Sequence, residues 1–313
     1  MVADASWAKG GGVVKVTLCM IVKNEEHVVQ RAIKSVRHLV DSYAIVDTGS
    51  TDKTALKAHE ALAGLPGMYV SREWQGFGHA RSQALDVVDM VAADEEYALI
   101  VDADDIWSGE RPDLSECADG YAVWFRRNGT KWATTRYLRL GRGIRYEGVV
   151  HEMPVYPNGG PVVPVPMLEG LSVMSPNDGA SWKDPDKYLH HARLISQAMV
   201  EDPTNERYAF YLAQSYRDHG DDVRAAKLYL ARAAMGPGCS PEEVYVSFLE
   251  AGRAFWRLGR LDDAKRALQA AHGSFPGRRE AMAELARLFA VKAATSPTVG
   301  SLFVEDVMGE AAE

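Results

Sequence analysis

Between residues 13 and 105 the chain alternates short apolar runs with segments whose apolar residues recur at helical spacing, and no other feature narrows its fold as much. Residues 13–22 are β-rich and apolar, while Val28, Val29, Ala32, Ile33, Val36, Leu39 and Val40 follow a helical period. A second strand-like run covers 43–46. Ser50-Thr-Asp52, residue types favoured as N-caps, then opens a second helix reaching about Gly64. Residues 68–70 give a third strand, and Ala80, Ala84, Val87, Val88 and Val91 mark a third helix. Residues 97–101 are apolar throughout and partly β-branched, as suits a strand buried on both faces. Four such alternations predict a mostly parallel sheet covered on both sides, an architecture of the nucleotide-binding type.

The polar groups fall at predicted strand ends, the place where open α/β sheets bind ligands. Lys23-Asn-Glu-Glu26 follows the first strand and Asp47-Thr-Gly-Ser-Thr-Asp52 the second. Asp47 has the chemistry to accept from a ribose hydroxyl or a base N–H, and the small Thr48-Gly49-Ser50 turn lets a ligand approach the backbone. After the last strand, Val101-Asp-Ala-Asp-Asp105 crowds three carboxylates into four positions. Like charges so close need a cation. Asp102 and Asp104 are oxygen ligands suited to Mg2+ or Mn2+, which commonly share such ligands with a substrate's phosphates. A polar turn with Asp105 capping a helix is the plainer reading of the same residues.

Composition excludes several classes. The chain has 313 residues, enough for one large core or two modest ones, and a net charge of −8 that argues against binding nucleic acid or anionic membrane. Cys19, Cys117 and Cys239 are odd in number and far apart, which argues against a disulfide framework or a structural zinc site and fits a reducing cytoplasm. Asp4 and Gly10-Gly-Gly12 do not read as a signal peptide, and no apolar run reaches the length of a membrane span. Gly76-Phe-Gly78-His-Ala-Arg81 has Arg where a dinucleotide fingerprint needs its third Gly, and there is no phosphate-loop motif.

After Pro176 apolar residues keep helical spacing. Ala213, Tyr216, Gly220, Ala225, Tyr229 and Pro237 recur as Gly252, Phe255, Gly259, Ala264, Leu268 and Pro276, an offset of 39 residues. The pattern is tetratricopeptide-like, with an insertion near 236–241 because that family repeats at about 34 residues. Such repeats either brace a neighbouring domain or offer a concave surface to a partner or second chain, which leaves a homo-oligomer open. The expected organisation is an α/β domain over 13–175, an all-α helical-repeat domain over 180–294 and a tail over 295–313.

Taken in order, Cys19-Met-Ile-Val-Lys-Asn-Glu-Glu26, Val46-Asp-Thr-Gly-Ser-Thr-Asp-Lys-Thr54, Gly78-His-Ala-Arg-Ser-Gln-Ala-Leu85 and Val101-Asp-Ala-Asp-Asp105 resemble the family 2 glycosyltransferases of GT-A fold. The resemblance covers roughly residues 14 to 155 and departs at Arg81-Ser82, where close relatives usually carry Arg-Asn. It implies inverting, metal-dependent transfer from a nucleotide sugar, with a UDP- or GDP-sugar as donor and a protein or glycan as acceptor. It further implies that Val22, Asn24, Glu25, Asp47, Arg81, Asp102 and Ala103 contact the donor, and that Asp102 and Asp104 bind Mn2+ or Mg2+. An inverting displacement needs one base to take the acceptor's proton. Asp105, Glu147 and Glu152 are candidates, with Glu152 preferred and Asp105 second. His151 is expected at the metal or diphosphate, because Gly148-Val-Val-His-Glu152 also looks like a bacterial subgroup of the family. Trp107, Trp124 and Trp132 are candidates to stack on a sugar ring. Two rivals stand beside this reading. One is a sugar nucleotidyltransferase, which Lys23-Asn-Glu-Glu26 suits poorly because such enzymes carry a Gly-rich basic loop there. The other is a non-catalytic adaptor, which the retained acids disfavour.

Overall fold

A computed structural model describes residues 14–92, 97–114, 118–163, 165–238 and 240–295. Cys117, Cys239, Asp4, the 10–12 glycines and all of the expected tail after Thr295 lie outside the described residues. The chain divides into two compact units, Met1–Pro185 and Asp186–Glu313.

The first unit opens with the predicted alternation: β1 (Val16–Val22), α1 (Val29–Val36), β2 (Ser42–Asp47), α2 (Thr54–Ala61), β3 (Gly67–Ser71), α3 (Phe77–Val91) and β4 (Tyr97–Val101). It continues as β5 (Ile106–Ser108), β6 (Gly120–Arg127), β7 (Thr130–Arg139), β8 (Arg145–Glu147), β9 (Met153–Val155) and β10 (Met167–Met174). Eight of these strands form one sheet in the order β3-β2-β1-β4-β7-β6-β10-β5, with β8 and β9 paired separately. β1 to β4 are mutually parallel; β7 runs against both β4 and β6, and β10 runs parallel to β6. The C-terminal ends of β1, β2, β4, β6 and β10 therefore share one edge of the sheet.

Strand alternation splits the core in two. Leu18, Met20, Leu99 and Val101 pack with Ile33, Val36, Ala58 and Leu62 of the α1–α2 side. Cys19, Ala98 and Ile100 point the other way, onto Ala84, Leu85, Val87 and Val88 of α3. Both faces of the central strands are thus buried, as their unbroken apolar sequence requires. Cys19 is free and buried in this second layer, and burial pushes its thiol up to about 12, so it is an inert core residue. The predicted start of α2 shifts by a few residues. Asp52 still serves it, accepting the Thr54 N–H at 2.9 Å. Arg127-Asn-Gly-Thr130 is a two-residue hairpin with Asn128 and Gly129 both at positive φ, the conformation that Asn-Gly adopts at least cost.

The second unit is helical: α4 (Lys187–Glu201), α5 (Glu206–His219), α6 (Asp222–Ala234), α7 (Pro241–Arg257), α8 (Leu261–Ser274) and α9 (Glu280–Thr295). The six-position repeat falls on equivalent places: Ala213 and Gly252 on α5 and α7, Tyr229 and Leu268 on α6 and α8, and Gly220 and Gly259 as left-handed residues after the first helix of each pair. Asn205, Asp221 and Ser240 cap α5, α6 and α7 through backbone N–H groups. α7 is three residues longer than α5. The expected insertion is thus taken up in part as added helix. At Gly252 a Cβ would stand 2.7 Å from the Leu268 side chain, so glycine there lets α7 and α8 approach closely. Among the described residues no helix is long and apolar enough to cross a membrane.

Candidate active site at the strand ends

The loops after β1 and β2 are knitted into one platform. Asn24 sits at φ +55°, a left-handed conformation that Asn tolerates; its N–H donates to Ser50 Oγ at 3.0 Å and its Oδ1 accepts from the Thr51 N–H at 2.8 Å. The Glu25 N–H donates to Thr54 Oγ1 at 2.7 Å, and the Val22 carbonyl accepts from Thr48 N–H at 3.0 Å. Asp47 is buried, its Oδ1 accepting from the Gly49 and Ser50 N–H groups at 3.0 and 2.7 Å and its Oδ2 from the Tyr69 hydroxyl. This carboxylate orders the turn beneath the platform, with acceptor capacity left on Oδ2.

The three aspartates after β4 are sorted into different environments. Asp102 accepts from Arg81 on Oδ1 and from Arg136 Nη2 on Oδ2 at 3.0 Å. The two guanidiniums outweigh its burial and hold it well below the usual carboxylate range. Asp105 has no solvent exposure; its Oδ2 accepts the Asp102 N–H at 2.9 Å and lies 3.6 Å from Arg136 Nη1, while its Oδ1 has no partner. Burial pushes Asp105 up to about 7. Asp104 is the open one. It accepts a long 3.4 Å hydrogen bond from Ser175 Oγ, and burial together with neighbouring Asp102 raises its proton affinity. Ala103 between them is buried.

Arg81 comes from the first turns of α3 and bridges Asp102 to Glu152 through its Nη2 and Nε. Its guanidinium carbon also lies 5.7 Å from the Tyr146 ring centroid. The departure at Ser82 has a local use: Ser82 Oγ accepts the Tyr146 N–H at 2.9 Å, clipping α3 to β8. Glycine at 78 permits this contact, since a Cβ there would stand 2.6 Å from the Gly148 carbonyl oxygen. His151 is exposed with φ +56°, next to Glu152 but turned out at the surface.

A segment after β10 crosses the same edge. Both Glu25 oxygens accept from the Ala180 N–H at 3.0–3.1 Å, and Arg31 pairs with both oxygens of Asp178 at 2.6 and 2.7 Å. Gly179 lies against Asp104, 3.2 Å from where its own Cβ would stand. Burial pushes Glu25 up to about 7, and Asp104 adds to that rise.

These environments separate the expected site residues. Asp105 is sealed from solvent and holds the Asp102 backbone N–H. Asp102 has each of its oxygens on a guanidinium group. His151 lies at the exposed surface, and among the described residues no group of three or more His, Cys, Asp and Glu side chains is arranged to hold an ion. Asp104 does fit one, being a desolvated carboxylate crowded by Asp102 and Asp178, a crowding that the charge of Arg127 offsets only in part, with Glu25 near it; the phosphates of a substrate would complete the shell. Trp107 is core, at 4% exposure. Arg136 was not anticipated. It is the extra residue of a bulge in β7, where Tyr121 pairs with Tyr137 but Ala122 with Thr135, and bulges of this kind re-aim side chains beside active sites.

Comparison with known proteins agrees with this layout. A protein described as an uncharacterized glycosyltransferase from Rickettsia bellii is 32% identical over 102 residues, 33% of this chain and 32% of the relative. A TPR repeat-containing protein from Synechococcus elongatus is 32% identical over 156 residues, 46% of this chain and 36% of the relative. The chain thus spans about a third of the length of these curated relatives. The first TPR domain of the human RPAP3 protein is 20% identical over 34% of this chain and 81% of that one, at a TM-score of 0.31, a likeness too partial to carry an argument. The model of glycosyl transferase family 2 matches residues 17–140, which span β1 to β7 and every strand end up to Arg136. The stretch similar to glycosyl transferase family 2 thus lies wholly within the first unit of the chain.

Proposed function

We propose that the chain transfers a sugar, with inversion, from a nucleotide sugar to an acceptor hydroxyl. The observation that carries this reading is Asp104, whose carboxylate, among those of the three aspartates after β4, is neither sealed from solvent nor hydrogen-bonded by a guanidinium, at the strand-end edge shared with the Asn24–Asp47 platform. On this reading the nucleotide lies on the platform, with Asp47 and the Gly49–Ser50 backbone near base or ribose and the diphosphate reaching Asp104. Asp104, with Glu25 beside it, would hold Mn2+ or Mg2+, which supplies Lewis-acid stabilisation of the leaving diphosphate. Glu152 takes the proton of the attacking hydroxyl. Arg81 orients it, one guanidinium fixing Glu152 relative to the Asp102 turn, so that base and aspartate turn keep one geometry through the reaction. Asp102 neutralises Arg81 and Arg136, and Asp105 pins the turn. A UDP- or GDP-sugar is the proposed donor, a glycan or protein the acceptor, and the cytoplasm the compartment.

The test is a thermal-shift panel of UDP, GDP, CDP and dTDP with and without Mn2+. A ligand at 100 times its Kd stabilises the folded state by about 2.7 kcal/mol, a shift easily read. One nucleotide should raise the melting midpoint of the wild type with Mn2+ present and fail to do so in Asp104→Ala. If no nucleotide stabilises the wild type, the transferase reading gives way to that of an adaptor.

A further inference from the structure

Arg127 closes β6 at the same sheet edge, and nothing in the mechanism above uses it. Its guanidinium carbon lies 5.1 Å from the Phe125 ring centroid and 5.2 Å from that of Trp182. Nη2 donates to Ser175 Oγ at 3.4 Å, and that hydroxyl leads on to Asp104. Nε is shut off from solvent with no acceptor. Among the described residues Arg127 forms no direct ion pair, whereas Arg31, Arg81, Arg111 and Arg136 of the same unit all do; its charge reaches Asp104 only across Ser175 and lowers that carboxyl's pKa in part. A guanidinium held between two rings keeps its charge and its planar fork while losing water, which is costly unless an anion completes it. The hairpin itself repeats the sign: Arg126, Arg127 and Lys131 fall within residues 120–134, a stretch of sequence without a single acid in a chain of net charge −8.

Position then says which ligand. In the sheet, β2 and β1 with the nucleotide platform lie to one side of β4, and β7 and β6 lie to the other. A donor stretching from Asp47 to Asp104 leaves the β6 end to the acceptor. Trp132, cross-strand neighbour of Phe125 with ring centroids 4.8 Å apart, is 39% exposed there and offers an aromatic face beside the cation.

We infer that Arg127 recognises an anionic group, phosphate or carboxylate, on an acceptor saccharide whose ring stacks on Trp132. The inference rests on the transferase reading for the word acceptor and on the geometry of Arg127 for the charge. Arginine between rings matches a carboxylate or phosphate through paired N–H donors, a match that a neutral sugar cannot return.

Tryptophan-fluorescence titration of the full chain with glucuronate, glucose 6-phosphate, glucose and inorganic phosphate tests it. The wild type should bind a charged sugar at least about tenfold more tightly than glucose, and added salt should weaken only the charged ligands. Arg127→Gln should bring charged and neutral sugars level, and Arg127→Lys should keep part of the preference, since it keeps the charge but not the fork. Whichever charged sugar binds more tightly identifies carboxylate or phosphate. Equal affinity for charged and neutral sugars, no binding of either charged sugar, inorganic phosphate matching glucose 6-phosphate, or an unchanged preference in Arg127→Gln each overturns the inference. So does a loss in Arg127→Gln that falls on nucleotide binding alone, which would put Arg127 on the donor. Should the nucleotide panel fail while the charged-sugar preference holds, the transferase reading falls and the Arg127 site stands; the reverse result removes this inference alone.

Discussion

Asp102, Asp104 and Asp105 are nearly adjacent in sequence, yet their environments differ by what each can reach. Asp102 meets two guanidiniums, Asp105 a backbone N–H in a sealed pocket, and Asp104 a distant hydroxyl with the charge of Arg127 beyond it. Arg136 is the residue that makes this sorting possible, because it faces Asp102 and Asp105 together and stacks at 5.2 Å on Phe125. Removing it leaves two desolvated carboxylates with one cation fewer, a change that costs about 3 kcal/mol when a buried pair loses one member. Arg136→Met should therefore lower the unfolding free energy by that amount, read as a lower urea midpoint with an unchanged slope. Adding Asp105→Asn should recover part of the loss, since the amide oxygen still accepts the Asp102 N–H without a charge to bury. A loss below about 1 kcal/mol in Arg136→Met would mean that the cluster is wetter than its burial indicates.

At the scale of elements, the site depends on how closely α3 packs on β8. Alanine in place of glycine inside a helix ordinarily stabilises by up to about 1 kcal/mol, so the sign of Gly78→Ala is informative. Here the new Cβ would meet the Gly148 carbonyl oxygen at 2.6 Å, and the obstacle is backbone. α3 must move away from β8, which strains the Ser82–Tyr146 clip and the Arg81–Glu152 pair. Gly78→Ala should destabilise by roughly 1–3 kcal/mol and reduce sugar transfer further than the lost stability explains. A variant as stable as the wild type would sink this account of the contact. The same interface shows where sequence reading stops. β1 to β4 and their helices were legible because unbroken apolar runs and a period near four are local properties, and the aspartates and Arg81 were legible because they sit at predicted ends of those elements. Arg136 was not, since only the bulge between Thr135 and Tyr137 turns it to Asp102. The Glu25–Ala180 contact spans 155 residues, and no local pattern announces it. Nor could spacing alone divide Asp102 from Asp104, because that division is made by cations arriving from α3 and β7.

At the scale of the whole molecule, the cores decide what depends on what. The layers around Leu18 and Cys19 draw on residues of the first unit alone, and the clusters around Tyr229 and Tyr245 on residues of the second alone. The helical unit has its own caps and ion pairs as well: Arg232, fully buried, is neutralised by Glu243 at 3.1 Å and Glu206 at 3.6 Å, tying α5, α6 and α7 together. A unit that contains its own apolar core and closes its own buried charges meets the physical conditions for independent folding. Residues 186–313 expressed alone should accordingly show a helical circular-dichroism spectrum and a cooperative thermal transition. Residues 1–185 alone should keep the Mn2+-dependent nucleotide shift, because every residue assigned to the donor, from Val22 to Asp104, lies in that unit. An unfolded 186–313 fragment would show that the helices need the first unit to fold. A folded 1–185 fragment blind to nucleotide that the full chain binds would show that the second unit completes the donor site.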